Sequence, residues 1–137
     1  MNQNKIMAYF SKDFRLIDKF AQRSIPYPHR LAIRRELEKL LRFPYKDLIP
    51  PRKTLKSLGS IAGGVPLYGL RPHGPDKTQY RIPLVSPRES IFLLLGFFPR
   101  KDACFDKEIE VAEKHYMEIK NGEATYEPID LQNNFQI

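Results

Sequence analysis

The order of its elements predicts an α+β fold for this chain, with helices first, then strands, then a helix. Apolar residues recur at helical spacing before residue 43. Three apolar runs separated by turn residues fill Val65–Lys101, and a long helical pattern follows at once. The chain has 137 residues, of which 42% are hydrophobic, so it is long enough to bury the core of one domain. We assign residues 1–120 to that domain and residues 121–137 to a C-terminal tail.

Two helices are predicted in the N-terminal third. Ser11 is a suitable N-cap for a helix from about Lys12 to Arg23, which the prolines of the following SIPYP segment end. The second helix is predicted from about Pro28 to Arg42, with proline in its first turn, where a missing N–H costs nothing. The short apolar segment Met7–Phe10 before them is predicted to be an edge strand.

The connector over residues 43–64 has too many prolines and glycines for a long regular element. It is also basic, with cations at Lys46, Arg52, Lys53 and Lys56. Two interpretations stay open: the connector wraps the sheet edge and contacts phosphates, or it is an ordinary surface loop.

Three strands are predicted after the connector: Leu67–Arg71, Gln79–Val85 and Ile91–Phe98. A four-residue turn over Ser86–Glu89 is expected between the second and third, because proline occupies its favoured second position. The third strand is continuously apolar and is expected to be central and covered on both faces.

Two residues interrupt these strands. Pro83 has no N–H to donate to a ladder, which indicates an edge position or a bulge. Gly96 within the apolar strand indicates a bulge or a close backbone approach.

The final helix has the clearest pattern. One apolar stripe at helical intervals is formed by Phe105, Ile109, Ala112, Tyr116 and Ile119. The dipeptide Asn121-Gly122 is a helix stop signal, and a loose or partner-dependent tail is expected beyond it.

Charge indicates the class of partner. The net charge is +7, but all 23 basic residues lie within residues 1–120 beside 13 acidic ones, which gives this part +10. This balance favours an anionic partner, with nucleic acid ahead of a membrane surface. The alternative is a domain that is basic without such a partner. For the cations of the second helix, a solvated face is the favoured interpretation over direct nucleic-acid contact; these are Arg30, Arg34, Arg35, Lys39 and Arg42.

Cellular location is expected to be the cytoplasm. Cys104 is the only cysteine, so no disulfide within the chain is expected. The N-terminal residues lack an apolar core of signal-peptide length, and the longest apolar run, at residues 91–98, is too short to span a bilayer.

Motifs for metal or nucleotide chemistry are not found. The sequence contains no GxxxxGK[ST], GxGxxG, HExxH or paired CxxC, and its three histidines are scattered. We therefore expect no metal and no cofactor.

Cations still suit one metal-free reaction, RNA cleavage, because RNA supplies its own 2′-hydroxyl nucleophile. Arginine binds two phosphate oxygens with its planar fork and stabilises developing charge.

Four segments together carry a family resemblance: LYGLRPHG, QYRIPLV, IFLLLGFFPRK and DKEIEVAEKHYMEIKNG. In order and spacing, over roughly residues 54–120, they resemble the RelE/ParE superfamily of toxins, and within it the phage-related HigB-like branch. The resemblance implies a RelE-like fold with two N-terminal helices packed on a small antiparallel sheet and a C-terminal helix. It also implies metal-independent cleavage of messenger RNA, commonly at the ribosome, and an antitoxin partner, often a helix-turn-helix protein.

The same resemblance implies the site residues. Arg71 and Arg81 would bind phosphate and stabilise the transition state, and Arg100 and Lys101 would form the basic position after the last strand. Apart from the resemblance, His73 is a candidate for proton transfer or RNA contact. Further RNA contacts are expected from Lys53, Lys56 and Lys77.

Two classes of function remain open at this point. One is an RNA endonuclease toxin. The other is a non-catalytic protein of the same fold, either a ParE-like topoisomerase inhibitor or a degenerate phage-derived binding module.

Overall fold

The computed structural model describes residues 4–20, 22, 24–49, 55–75, 78–99 and 105–134. Its elements, in chain order, are β1 (Lys5–Phe10), α1 (Leu16–Phe20), α2 (Tyr27–Arg42), α3 (Tyr45–Leu48), β2 (Leu55–Ile61), a 3-10 turn (Ala62–Gly64), β3 (Val65–Leu70), β4 (Tyr80–Arg88), β5 (Ile91–Leu94), β6 (Phe98–Pro99), α4 (Phe105–Lys120), β7 (Thr125–Pro128) and α5 (Leu131–Asn134).

The sheet is larger than predicted and is mixed. Seven strands are described, in the order β2-β3-β4-β5-β1-β7, with β6 beside the start of β4. β1 runs parallel to β5, whereas the other pairs are antiparallel. The expected small antiparallel sheet is therefore wrong. The reason is β1, which begins the fold and lies between β5 and β7, where Ala8 is fully buried, rather than at an edge.

The helices are also not simply an N-terminal pair and a C-terminal one. β1 precedes them, the short α3 follows α2, and α5 follows β7. α1 begins at Leu16 instead of Lys12, because residues 11–14 form a tight turn closed by hydrogen bonds between Ser11 and Phe14. The prediction of α2 is confirmed to within one residue at each end, and α4 spans the predicted apolar stripe and ends directly before the predicted stop signal.

Two strands were missed. β2 lies in the proline- and glycine-rich connector and buries only its end residues, Leu55 and Ile61, so it lacks an alternating pattern. β7 lies in the segment expected to be a loose tail, yet it pairs with β1, and Leu131 after it is buried in the core. Both strands lie at edges of the sheet, where one row of backbone groups is unpaired and burial leaves little trace in the sequence.

The hairpin turn between β4 and β5 lies later than predicted. β4 runs through the predicted Ser86–Glu89 turn as far as Arg88, and the chain reverses at Glu89 and Ser90. Ser90 has φ of 68°, a left-handed conformation that a tight turn imposes on it.

Pro83 and Gly96 meet at a break in the sheet. β4 is an interior strand, so the edge alternative for Pro83 is wrong. Its carbonyl accepts a hydrogen bond of 2.8 Å from the Leu95 N–H, so the side of Pro83 that lacks an N–H faces the irregular residues between β5 and β6. The register shift between β4 and β5 lies farther along, between Val85 and Arg88. A Cβ on Gly96 would lie 3.0 Å from Phe98 and 3.3 Å from Pro83, which confirms the close approach.

Helices cover both faces of the sheet. Alternate residues of β4, such as Tyr80 and Ile82, pack in one core with α1 and α2. Val85 packs in a second core with Ala112 of α4. Because side chains alternate along a strand, the odd-numbered positions in the first half of β4, including Arg81, face α4. No helix in the described ranges is both long and apolar enough to cross a membrane.

Candidate nucleic-acid interface

Arg71 and Arg81 are cross-strand neighbours. Leu70 of β3 pairs with Ile82 of β4, so the next residue of one strand lies opposite the preceding residue of the other. The pairing continues beyond them to an isolated bridge farther along the hairpin. Opposed residues of an antiparallel pair have Cβ atoms about 5 Å apart and point to one face. The fold thus brings together the two arginines that the sequence selects.

Arg71 is not a surface cation, however. It is only 1% exposed, and its Nη1 and Nη2 donate hydrogen bonds of 2.7 and 2.8 Å to the two carboxylate oxygens of Glu108, which is fully buried in the first turn of α4. Nη1 also donates to the Leu70 carbonyl at 3.3 Å. Arg71 therefore does not present its charge to solvent, from which the predicted contact with phosphate would be made, because a bidentate partner neutralises the charge inside the fold.

Gly69 makes room for this ion pair. It lies two residues before Arg71 on the same face, and a Cβ built on it would lie 2.7 Å from Nη1 of Arg71 and 2.8 Å from Cζ. The guanidinium therefore lies flat against the glycine backbone. Any side chain at this position would push it off.

The sequence contained a signal for Glu108 that the apolar pattern obscured. Glu108 precedes the buried Ala112 by four residues, so both lie on the inner face of α4. A carboxylate on the buried face of a helix requires a buried cation, since an unpaired charge is costly there.

Arg81 and Lys56 lie on either side of the buried pair. Arg81 is half-buried and is flanked on its other side by Phe98 of β6, its register partner. Lys56 is exposed on the edge strand β2, opposite Gly69, and therefore lies on the α4 face. These two cations, with the Arg71–Glu108 pair between their strands, form what we call the α4-face site.

His73 belongs to a different surface. It is exposed, and its Nε2 lies 2.9 Å from Nε2 of Gln79. It lines a groove beside α2 together with Arg35 and Lys39, and the lining of that groove includes neither Arg71 nor Arg81. Four other predicted residues, Lys53, Lys77, Arg100 and Lys101, lie outside the described residues.

A cluster of polar aromatic residues was not anticipated from the sequence. Tyr9 at the end of β1 stacks on His115 of α4 with ring centroids 3.8 Å apart, and its hydroxyl donates to Glu118 at 2.6 Å. Nδ1 of His115 donates to the Leu95 carbonyl at 2.6 Å, which fixes the tautomer of the neutral ring. Burial, together with the Glu118 acceptor, raises the pKa of Tyr9 to about 12. Burial also lowers the pKa of His115.

The lowered pKa of His115 makes stability depend on pH. The unfolded chain binds the proton more readily than the folded one, so this contribution is complete above about pH 6.5 and is lost on acidification. We expect the melting temperature to fall between pH 7.5 and 5.5. His115→Phe, which preserves the stacking but cannot be protonated, is expected to show a smaller fall, measured by circular dichroism. An equal fall in His115→Phe and in the exposed control His73→Asn would contradict this assignment.

No group of three or more His, Cys, Asp or Glu side chains suited to a metal ion is found among the residues that the structure describes.

Comparison of the chain with protein-family models, with curated proteins and with solved structures found no match.

Proposed function

We propose that this protein is the toxin of a toxin–antitoxin pair and cleaves messenger RNA without a metal ion. The observation that carries the proposal is the cross-strand placement of Arg71 and Arg81 on a strongly basic chain. This placement supports a phosphate-binding site in which the sheet fixes the position of the cation. The resemblance of residues 54–120 to the RelE/ParE superfamily, HigB-like branch, supplies the reaction.

The reaction is a transesterification within the RNA. The 2′-oxygen attacks the adjacent phosphorus and loses its proton to a base, while the bond from phosphorus to the 5′-oxygen breaks and that oxygen takes up a proton. The products are a 2′,3′-cyclic phosphate and a 5′-hydroxyl. Negative charge grows on the non-bridging oxygens in the transition state, so a positioned cation accelerates the step.

Arg81 is the residue that we assign to this charge. Its guanidinium is half-buried on the α4 face, and a partly desolvated cation interacts more strongly with phosphate than one in bulk water. Lys56 at the sheet edge would guide the neighbouring phosphate. Arg71 becomes a positioning residue, because its pairing with Glu108 joins the end of β3 to the start of α4 beside Arg81.

The proposal also concerns partners and location. Messenger RNA in the cytoplasm, with or without the ribosome, is the proposed substrate. A helix-turn-helix antitoxin is the proposed inhibitor.

A second candidate is a non-catalytic binding protein, such as a topoisomerase inhibitor or a degenerate phage-derived module. The buried ion pair between Arg71 and Glu108 favours this second candidate, because it neutralises one of the two arginines that the reaction employs and shields it from phosphate.

Cleavage in the presence of a chelator tests the proposal. Purified protein is incubated with a messenger RNA and EDTA, with and without ribosomes, and the product ends are mapped. Products with 5′-hydroxyl and cyclic phosphate ends are expected, and a single 2′-deoxy substitution at a mapped site is expected to block cleavage there. Intact RNA under both conditions would contradict the proposal. DNA-damage signalling on expression would then favour topoisomerase inhibition.

A further inference from the structure

A groove of about 420 Å³ lies between the C-terminal half of α2 and the loop that follows β3. We call it the α2 groove. Its lining consists of Ala32, Arg35, Glu36, Glu38, Lys39, Arg42, Phe43 and His73. It lies against the helices that pack on the opposite face of the sheet from α4, so it is separate from the α4-face site.

Three cations follow one face of α2 along the groove. Arg35, Lys39 and Arg42 are all exposed and are spaced four and three residues apart, which spans about 10 Å at the rise of an α-helix. A row of cations at this spacing meets successive charges of an extended polyanion.

The acidic residues of the groove neutralise only one cation of this row, Lys39. Glu36 forms an ion pair of 2.8 Å with Lys39, and Glu38 forms one of 3.1 Å with Arg34, which lies outside the groove. Over the described part of the chain, neither Arg35 nor Arg42 forms an ion pair. Two guanidinium groups are thus left to bind an anion.

Phe43 is the feature that a solvated charged helix does not explain. It is 48% exposed, although it is a large apolar side chain at the end of the groove. Its backbone is extended and is fixed by a hydrogen bond of 3.0 Å from its N–H to the Lys39 carbonyl, so the ring is presented from a defined position. The helix dipole accounts for cations in the last turn of α2, but it does not account for an exposed ring beside them.

We infer that the α2 groove binds single-stranded RNA, with Arg35 and Arg42 on phosphates and Phe43 stacked on a base. Cations that follow the backbone, combined with an exposed aromatic ring, are what unpaired nucleic acid requires, because its bases are free to stack. A duplex offers phosphates but no accessible base face. The inference goes beyond the proposed function, since this groove holds RNA whether or not the α4-face site cuts it.

Fluorescence anisotropy with a labelled single-stranded RNA tests the groove. The probe carries 2′-O-methyl groups throughout, so the nucleophile is blocked and binding is measured without cleavage. The double variant Arg35→Ala/Arg42→Ala is expected to bind at least tenfold more weakly than the wild type. Its salt dependence is expected to be shallower by about 1.4 in the slope of log K against log salt, from two lost phosphate contacts.

Two substitutions of Phe43 test whether its aromatic ring stacks on a base. Phe43→Leu is expected to weaken binding about tenfold without altering the salt slope, because a stacking contact carries no charge. Phe43→Tyr retains an aromatic face and is expected to bind as the wild type does. The same RNA annealed to its complement is expected to bind more weakly and to respond little to Phe43→Leu.

A matched control separates the groove from general positive charge. Arg88 is an exposed arginine at the far end of β4 and does not line the groove, so Arg88→Ala is expected to change the affinity by less than twofold. Equal weakening by Arg88→Ala and by the double variant would overturn the inference, as would a Phe43→Leu protein that binds like the wild type.

The two proposals fail separately. If binding depends on the groove residues but unmodified RNA is not cleaved, the proposed endonuclease activity is refuted and RNA binding in the α2 groove stands. If the groove variants bind and cleave RNA like the wild type, RNA binding in the α2 groove is refuted and the proposed endonuclease activity stands.

Discussion

Replacing Glu108 with alanine is expected to lower the free energy of unfolding by about 3–5 kcal/mol, the usual cost of stranding one charge of a buried ion pair. The Arg71 guanidinium would remain 1% exposed with its bidentate acceptor removed. The loss is comparable to the whole stability of a marginal domain, which is about 5–15 kcal/mol. Urea denaturation should show a midpoint about 2 M lower than that of the wild type.

Two further variants define the cause. Glu110→Ala removes an exposed glutamate from the same helix and is expected to cost less than about 0.5 kcal/mol. Arg71→Met/Glu108→Leu removes both charges while preserving volume, and is expected to recover most of the stability lost in Glu108→Ala. A Glu108→Ala protein as stable as Glu110→Ala would mean that the pair is not buried in solution.

Arg81→Ala is expected to reduce RNA cleavage by about 10²–10³-fold, the usual effect of removing one donor that stabilises transition-state charge. The fold should persist, because the side chain is half-buried and the substitution leaves both partners of the neighbouring ion pair, Arg71 and Glu108, in place. Initial rates of cleavage of a labelled RNA, together with a thermal unfolding curve, measure the two effects separately.

The controls for Arg81 come from its own strand. Arg88→Ala removes an exposed arginine from the other end of β4 and is expected to leave the cleavage rate unchanged. Arg81→Lys preserves the charge but loses the planar fork, and an intermediate rate is expected. Undiminished cleavage by a folded Arg81→Ala protein would refute the assignment of this residue.

The helices were predictable because each is long and has one buried face. In α2, Ile33, Leu37 and Leu40 recur at helical spacing and are all buried. Periodicity of this kind depends only on local sequence. The edge strands β2 and β7 bury too little to leave such a pattern, and their pairing depends on residues far away in the chain.

The candidate site was predictable only in part. Arg71 and Arg81 were selected from the sequence, and the hairpin places them opposite each other. Their different surroundings were not predictable, because the partner of Arg71 lies 37 residues away on a helix that packs across the sheet. The α2 groove was likewise hidden, since Phe43 and His73 are distant in sequence and share a surface only in the folded chain.

The sequence by itself determined the basic charge, the two long helices, the strand-rich middle of the chain and the arginine pair of the β3–β4 hairpin. The first three follow from composition or from a local period, and the arginine pair was selected through the resemblance of its motifs to a known family. Only the tertiary structure decided that β1 lies inside a mixed sheet, that Glu108 neutralises Arg71 and that Phe43 stands exposed beside Arg35 and Arg42. Those outcomes depend on contacts between distant segments, and the free energy of such contacts leaves no periodic trace in the chain.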